Sequence, residues 1–404
     1  MSSQQSNPQV RKRRVFYIPG YDPIHPRRYR ELYRKEGGAQ AEISGYQIDI
    51  SARTGEGPYG WQVTSQQDGS PVDADVQVLV WSDIVRDSMA QSIPATYLQL
   101  ARTAWIYIST GTLWRLMQLR KGPVIAALYP VAMLLLQLFA SLLIAWGLVS
   151  VLKPLVGWWS LVPAAGVIYA LMQWFRKIDN RLFAYYLMHD YAHSAKLYGA
   201  YSQDLQSRLR EFSDLITETL DTDTDEVLVV GHSSGAHLGV SVLADVLRRR
   251  GGVQDKPVLS FLTLGQVVPM VSFLPQAHTL RADLKYLSER ADMTWIDVSA
   301  PGDGCAFALC DPVAVSGVAG PKKCGPLVLS AAFTQTLSPA RWQQLRWRFF
   351  RLHFQYLCAF DQPGLYDYFR ITVGPETLKQ RFERRAPSRS RIERTVSKYI
   401  AVEA

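Results

Sequence analysis

Short apolar runs alternate with longer amphipathic stretches along most of the chain. The runs have the length and the β-branched content of buried strands, and the stretches between them repeat apolar residues at helical spacing. Alternation of this kind predicts an α/β fold with a mainly parallel sheet flanked by helices. The predicted strands are 14–18, 76–81, 227–230, 258–264, 294–298 and 327–333, with a hairpin at 46–50 and 61–64, and the clearest predicted helices are 194–220, 236–250 and 339–350.

One region breaks this alternation. Residues 122–152 carry no charge, and after Lys153 the uncharged run resumes over 154–175. Twenty-two helical residues extend about 33 Å, which matches a hydrocarbon core of about 30 Å. Tryptophans lie near the expected ends of both runs, where an aromatic belt would place them. The pattern predicts a two-helix transmembrane hairpin over 122–176, in preference to a buried hairpin of a soluble core.

The charges that flank the hairpin predict its orientation. Arg115, Arg120 and Lys121 precede it, and Arg176, Lys177 and Arg181 follow it, whereas the turn carries only Lys153. The positive-inside rule then puts both ends, and with them the remaining chain, in the cytoplasm. The apolar run before Pro19 is too short for an export signal. We therefore expect an integral protein of a bacterial-type inner membrane.

The hairpin divides one predicted soluble domain into two parts. The stretch 97–119, which leads into the membrane, fits either an amphipathic helix in the interface or a helix packed on the soluble domain. The basic C-terminal stretch predicts a solvated helix rather than a lipid contact. The expected segments are a disordered basic N-terminus at 1–13, the first part of the domain at 14–121, the hairpin, the second part at 177–375 and a basic tail at 376–404.

Composition narrows the function classes. The chain has 404 residues, 48% of them hydrophobic, so it is not a disordered protein. Its net charge of +9 accompanies no nucleic-acid motif, and an anionic membrane surface explains that charge more simply. Its four cysteines form no CxxC pair, which favours reduced thiols over a metal site. We expect no cofactor and no metal.

The stretch HDYAH places His189 and His193 four residues apart, with Asp190 between them. Zinc proteases use the similar pattern H-E-x-x-H, but with a glutamate as base. The aspartate at that position favours an ordinary juxtamembrane helix over a zinc site.

The candidate chemistry centres on GHSSG, residues 231–235. A strand-like run precedes Ser233 and a helix-forming stretch follows it, which is the order that a nucleophile elbow requires. Gly231 and Gly235 would allow the sharp turn that exposes the Ser233 hydroxyl. The backbone N–H of Ser234 would then face an oxyanion, and the N–H of Tyr21, after Pro19-Gly20, would supply the second donor.

A serine hydroxyl needs a base that takes its proton. In elbow enzymes an acid and then a histidine follow the serine along the chain. Asp303 follows the predicted strand 294–298, and His353 is the only histidine after it. Asp311 is the alternative acid, and Asp297 is a weaker one because it falls within the predicted strand.

These pieces resemble the α/β-hydrolase superfamily, and more narrowly its lipase- and esterase-like serine hydrolases. The resemblance covers roughly residues 14–90 and 180–375 and is carried by VFYIPGYD, VLVVGHSSGAH, WIDVSAPGD and His353. It implies a Ser–His–Asp triad and an acyl-enzyme intermediate. The chain departs from the family in its inserted hairpin, in Ala236 where many lipases have a further glycine, and in the helical character around His353.

The leading hypothesis is a membrane-anchored serine hydrolase that cleaves an acyl ester, including lipid-like esters reached from the inner leaflet. The same triad would also serve a thioesterase or an acyltransferase, because water or another nucleophile can resolve the acyl-enzyme. A hypothesis of another class is a catalytically silent scaffold that binds a partner at the membrane.

Overall fold

A computed structural model describes residues 9–55, 57–252 and 257–403. An eight-stranded sheet lies at the centre of these residues, in the order β2-β3-β4-β1-β5-β6-β7-β8. β2, β3 and β4 pair antiparallel, and all other neighbours pair parallel. The strands are β1 Lys12–Ile18, β2 Gln47–Ala52, β3 Gly60–Gln67, β4 Ser70–Val78, β5 Glu226–His232, β6 Val258–Leu264, β7 Thr294–Ser299 and β8 Leu327–Ser330.

Helices cover both faces of the sheet, which confirms the α/β prediction. Two short 3-10 helices, Gly157–Ser160 and Gln355–Leu357, accompany the α-helices. The α-helices are α1 Arg27–Ser44, α2 Ser82–Met89, α3 Ile93–Ser109, α4 Thr112–Met117, α5 Lys121–Val156, α6 Leu161–Lys177, α7 Asp179–Leu182, α8 Ala184–Ala195, α9 Gln203–Thr219, α10 Gly235–Arg250, α11 Val268–Ser272, α12 His278–Ser288, α13 Pro312–Val315, α14 Phe333–Thr336, α15 Pro339–Leu345, α16 Phe349–His353, α17 Tyr368–Val373 and α18 Leu378–Phe382.

The buried sheet has an apolar core on each face. Successive side chains of a strand point to opposite faces, and β1 shows this directly. Val15 and Tyr17 belong to the core under α1 and α17, whereas Phe16 and Ile18 belong to the core under α9, α10 and α12. Because both cores need apolar side chains, the central strands read as continuous apolar runs rather than alternating ones.

Several predicted boundaries were wrong where backbone geometry intervenes. The predicted strand 327–333 ends at Ser330, because Ala332 takes a positive φ of 47° and α14 begins directly after it. The predicted helix 194–220 begins only at Gln203, because Gly199 has a φ of 94° and ends the preceding turn. The predicted strand 76–81 stops at Val78.

The two chain ends also differ from expectation. Most of the N-terminal segment predicted to be disordered falls outside the described residues, but β1 already begins at Lys12, and the Val10 N–H donates to the Pro375 carbonyl at 2.9 Å. The predicted helix of the tail was wrong, since α18 ends at Phe382. The rest packs on the body, where Arg394 donates to the Gln118 carbonyl at 2.6 Å.

Within the described residues, one helical segment, Lys121–Lys177, is long and apolar enough to cross a membrane. A 3-10 turn at Gly157–Ser160 interrupts it between α5 and α6, which touch where Ser141 Oγ lies 3.6 Å from Met172 Sδ. Many of its large apolar side chains face outward, among them Phe139, Trp146 and Leu155. The structure thus shows a single apolar helical segment and no clear division into two membrane spans.

The stretch before this segment forms a helix packed on the domain, which is one of its two predicted alternatives. α3 buries Leu100 and Ile106 against the body and exposes Leu98, Trp105 and Ile108 on its opposite side. The helix is therefore packed on the α/β domain and also presents an apolar outer face.

Candidate functional site

Ser233 lies at the sharp turn between β5 and α10. Its φ of 57° is a left-handed conformation that residues other than glycine rarely adopt. Gly231 and Gly235 make this turn possible, because a Cβ on Gly235 would lie 2.0 Å from the Ile18 carbonyl oxygen and one on Gly231 would lie 2.6 Å from the Gly235 oxygen. The strand, the strained serine and the helix follow in the order that the sequence predicted for a nucleophile elbow.

The loop after β1 lies directly against this serine. A Cβ on Gly20 would come within 2.9 Å of Ser233 Cβ, so only glycine fits at this position. In the described part of the chain, neither the Tyr21 N–H nor the Ser234 N–H donates a hydrogen bond. Two unused backbone donors beside a serine are what an oxyanion hole requires.

The candidate base and acid are joined directly. His353, at the end of α16, lies with its Nδ1 2.7 Å from Asp303 Oδ2, and both side chains are buried. Asp303 also accepts from the Tyr356 hydroxyl at 3.0 Å and from the Cys305 N–H at 2.9 Å. Burial acts to raise the pKa of Asp303, but His353 and these donors hold it below its ordinary value. The carboxylate is therefore well suited to hold the imidazole in one orientation.

The two alternative acids are engaged elsewhere. Asp311 caps the N-terminus of α13, with Oδ1 3.0 Å from the N–H groups of Val313 and Ala314, and it pairs with Lys323 at 2.7 Å. Asp297 lies within β7, where it accepts from the Thr263 hydroxyl at 2.6 Å. The structure thus brings His353 together with Asp303 rather than with Asp311.

Ser233 and His353 approach the same stretch of backbone after β6. The Ser233 N–H donates to the Leu264 carbonyl at 2.9 Å, and His353 Cε1 lies 3.2 Å from the point where a Cβ on Gly265 would be. Among the described residues, Ser233 Oγ has no hydrogen-bond partner. Catalytic hydrogen bonds are often long without substrate and tighten when it binds.

Comparisons with known proteins add no relative. No family model, no curated protein and no solved structure matches the chain significantly. The α/β-hydrolase resemblance therefore rests on the sequence motifs alone.

His232 lies beside the elbow, with its Nε2 3.0 Å from the His353 carbonyl oxygen, and burial lowers the pKa of His232 to about 3, so it stays neutral. Sequence reasoning missed two residues that shape the site, Gly265 and Tyr356. Gly265, with a φ of 52°, leaves room for the rings of His353 and Tyr356. A glycine at the end of a predicted strand was the one available signal, whereas Tyr356 carried none.

One group of side chains has the composition of a metal site. Ligand atoms of Asp303, Cys305 and His353 all lie within 4.8 Å of one another. Burial, together with the charge of Asp303, raises the pKa of the Cys305 thiol well above its ordinary value, so the thiolate that a metal needs is disfavoured. In the described conformation, His353 Nδ1 is engaged with Asp303. These features fit the hydrogen-bonded pair better than a metal centre.

A cavity of about 590 Å³ adjoins the elbow, between α2 and α3 on one side and α8 and α9 on the other. Its lining includes Tyr21 and Ser234, and also Asp190 and His193 of the HDYAH motif. Burial raises the pKa of Asp190 to about 7, with an opposing effect from the charge of His353. This motif thus lies at the candidate site rather than on an ordinary surface helix.

The chain on either side of the apolar segment contacts the elements that carry the candidate site. At its start, Arg120 donates to the Ala308 carbonyl at 2.8 Å, and a Cβ on Gly122 would lie 3.2 Å from Gly304 Cα. After its end, the rings of Phe183 and Phe350 lie 4.7 Å apart. Asp303 and His353 are thereby held next to the apolar segment.

Proposed function

We propose that the protein is a membrane-bound serine hydrolase that cleaves acyl esters through Ser233, His353 and Asp303. The observation that carries this proposal is the buried 2.7 Å hydrogen bond between His353 Nδ1 and Asp303 Oδ2, next to His232 of the elbow, whose Nε2 lies 3.0 Å from the His353 carbonyl oxygen. A silent scaffold would have no use for a strained serine, an oriented imidazole and two free backbone donors at one place.

In the first half of the reaction, Ser233 Oγ attacks the carbonyl carbon of the ester. His353 Nε2 accepts the serine proton while Asp303 stabilises the imidazolium that forms. The N–H groups of Tyr21 and Ser234 stabilise the negative oxygen of the tetrahedral intermediate. The intermediate then collapses, the C–O bond to the alcohol breaks, and His353 returns the proton to that alcohol.

In the second half, water attacks the acyl group on Ser233. His353 accepts the proton of the water, and the tetrahedral intermediate expels Ser233 Oγ, which takes this proton back. A fatty acid or other carboxylic acid leaves. If a thiol or an alcohol entered in place of water, the same steps would transfer the acyl group, which is the acyltransferase alternative.

The membrane part of the proposal rests on the segment Lys121–Lys177. We infer that α5 and α6 cross the bilayer as a hairpin, with both ends and the α/β domain in the cytoplasm. The outward-facing apolar side chains and the arginines and lysines at both ends support this orientation. Because the chain on either side of the segment contacts the Asp303 loop and α16, a lipid-like ester from the inner leaflet is the favoured substrate class.

Labelling with a fluorophosphonate tests the nucleophile. The membrane-embedded protein is treated with a fluorescent fluorophosphonate, and the native chain is compared with Ser233→Ala and with Ser234→Ala. Labelling is expected in the native chain and in Ser234→Ala, because that variant keeps its backbone N–H, and it is expected to disappear in Ser233→Ala. Persistent labelling of Ser233→Ala would remove Ser233 as the nucleophile, and a folded native protein that never reacts would favour the scaffold.

Topology is tested separately with reporters. A C-terminal reporter that is active only in the cytoplasm is expected to be active, whereas one placed in the turn at Gly157–Ser160 is expected to be inactive. A cytoplasmic signal at the turn would contradict the two-span arrangement without affecting the assignment of Ser233.

A further inference from the structure

One acid at the site has no partner. Asp190 lies on α8 and lines the cavity beside Tyr21 and Ser234. Among the described residues, its carboxylate takes part in no hydrogen bond and no ion pair. Asp190 is also close enough to His353 for the charge of that histidine to affect the pKa of Asp190. A partly exposed carboxyl group that lines a cavity and has no protein partner is free to accept a hydrogen bond from a ligand.

The other charged groups of the cavity are already engaged or exposed. Arg208 pairs with Asp83 at 2.7 Å, and Arg102 donates to the Lys196 carbonyl at 3.2 Å. The ammonium group of Lys196 belongs to an exposed residue. No cation of the described lining therefore satisfies Asp190.

The neighbouring imidazoles do not neutralise this acid either. Burial lowers the pKa of His193 to about 4 and that of His237 to about 3, so both rings are neutral at physiological pH. The His193 ring is tilted against the rings of Tyr21 and Trp81, with centroid distances of 5.6 and 6.0 Å, and His237 Nδ1 lies 3.0 Å from the Tyr201 hydroxyl. Neither neighbouring imidazole therefore supplies a positive charge to Asp190.

We propose that Asp190 is a specificity-determining residue that binds an ammonium or hydroxyl group of the ester substrate and disfavours anionic substrates. The inference rests on the proposed hydrolase function and deepens it. It assigns the substrate to esters with a hydrogen-bond-donating polar group close to the scissile bond. A hydrogen bond to a charged group favours the matching substrate by about tenfold to a hundredfold, and a carboxylate in the same place would be repelled.

The test uses matched chromogenic esters and the full-length protein in lipid nanodiscs. One panel of p-nitrophenyl esters carries a methyl, an ammonium or a carboxylate group at the end of the same acyl chain, namely hexanoate, ω-aminohexanoate and adipate. A second panel carries the same three terminal groups on the alcohol of a hexanoate ester, and its hydrolysis is measured by the release of hexanoic acid. Each ester is measured with the native chain, Asp190→Asn, Asp190→Glu and, as control, Asp204→Asn, which removes an exposed carboxylate from the same cavity wall.

In at least one panel, the native chain is expected to prefer ammonium over carboxylate by about tenfold or more in kcat/KM. Asp190→Asn is expected to reduce this ratio at least tenfold, whereas Asp190→Glu and Asp204→Asn keep most of it. Fluorophosphonate labelling of Ser233 shows whether each variant is folded at its site.

Two results would overturn the inference. One is a native chain without preference for ammonium in either panel, which needs no variant. The other is an Asp190→Asn variant that labels normally and keeps the native preference. Hydrolysis that is undiminished in Ser233→Ala would instead overturn the proposed function, so the two failures are distinguishable.

Discussion

Replacement of Asp303 by asparagine tests the assignment of the acid. Asp303 Oδ2 accepts from His353 Nδ1 and from the Tyr356 hydroxyl, and Oδ1 accepts from the Cys305 N–H. An amide has the size of the carboxylate but only one acceptor oxygen and no charge. In either amide orientation, at least one of these donors faces the NH₂ group. The variant therefore keeps the fold but loses the orientation of the imidazole and the stabilisation of its charged form.

The expected loss is large. In a Ser–His–Asp triad the same exchange costs about three to four orders of magnitude in kcat. Each tenfold step corresponds to about 1.4 kcal/mol, so the transition state loses about 4 to 5.5 kcal/mol. Asp303 is buried, and among the described residues it is the carboxylate that is hydrogen-bonded to His353.

The assay compares Asp303→Asn with Asp311→Asn, the alternative acid. Hydrolysis of a p-nitrophenyl ester and the rate of fluorophosphonate labelling are measured for both. Asp311→Asn is expected to retain activity, because asparagine is also a good N-terminal helix cap and only the ion pair with Lys323 is lost. The reasoning fails if Asp303→Asn keeps more than a tenth of kcat, or if Asp311→Asn loses as much.

Two further predictions follow from buried polar groups. Burial raises the pKa of Asp297 to about 7, so the folded protein keeps this proton up to about pH 7, whereas the unfolded chain releases it near pH 4. The free energy of unfolding therefore falls as pH rises between these two values, by about 4 kcal/mol at most. Asp297→Asn should be more thermally stable than the native chain at pH 8, and the gain should be much smaller at pH 5. Tyr186 donates its hydroxyl proton to the Tyr21 carbonyl, and Tyr186→Phe should lower kcat about five- to tenfold with little change in KM, since one hydrogen bond contributes about 1 kcal/mol to holding this loop.

Each of these has a control. For Asp297→Asn the control is Asp49→Asn, an exposed position on the edge strand β2, which should show no such pH-dependent difference in melting temperature. If Asp297→Asn changed the melting temperature equally at both pH values, that result would contradict the linkage argument. For Tyr186→Phe, a rise in KM with unchanged kcat would mean that the hydroxyl serves substrate binding rather than the position of Tyr21.

The sequence was most informative where one local signal determines the structure. The run Val227–Val230 followed by GHSSG predicted the strand, the turn and the helix around Ser233, because the close contacts of Gly231 and Gly235 leave no other residue type possible. The long uncharged segment was equally clear. In both cases the signal lies within one continuous stretch of the chain.

The sequence was less informative where distant parts of the chain meet. The helix predicted over 339–350 breaks after Leu345, and the short α16 that follows carries His353 to Asp303, fifty residues earlier in the chain. Nothing local marks this break. Similarly, Asp190 belongs to a motif that resembles a metal site, and only its position on the cavity wall suggests another role.

The contacts between the apolar segment and the site bear on how the enzyme would work. Gly122 lies against Gly304, next to Asp303, and the pair of glycines allows the backbones to approach closely. On the far side, Phe183 packs on Phe350, three residues before His353. A segment that served only as an anchor would need no such contacts with the Asp303 loop and with α16. Under the proposed function, these contacts would make the positions of the candidate acid and base depend on how the segment lies in the bilayer.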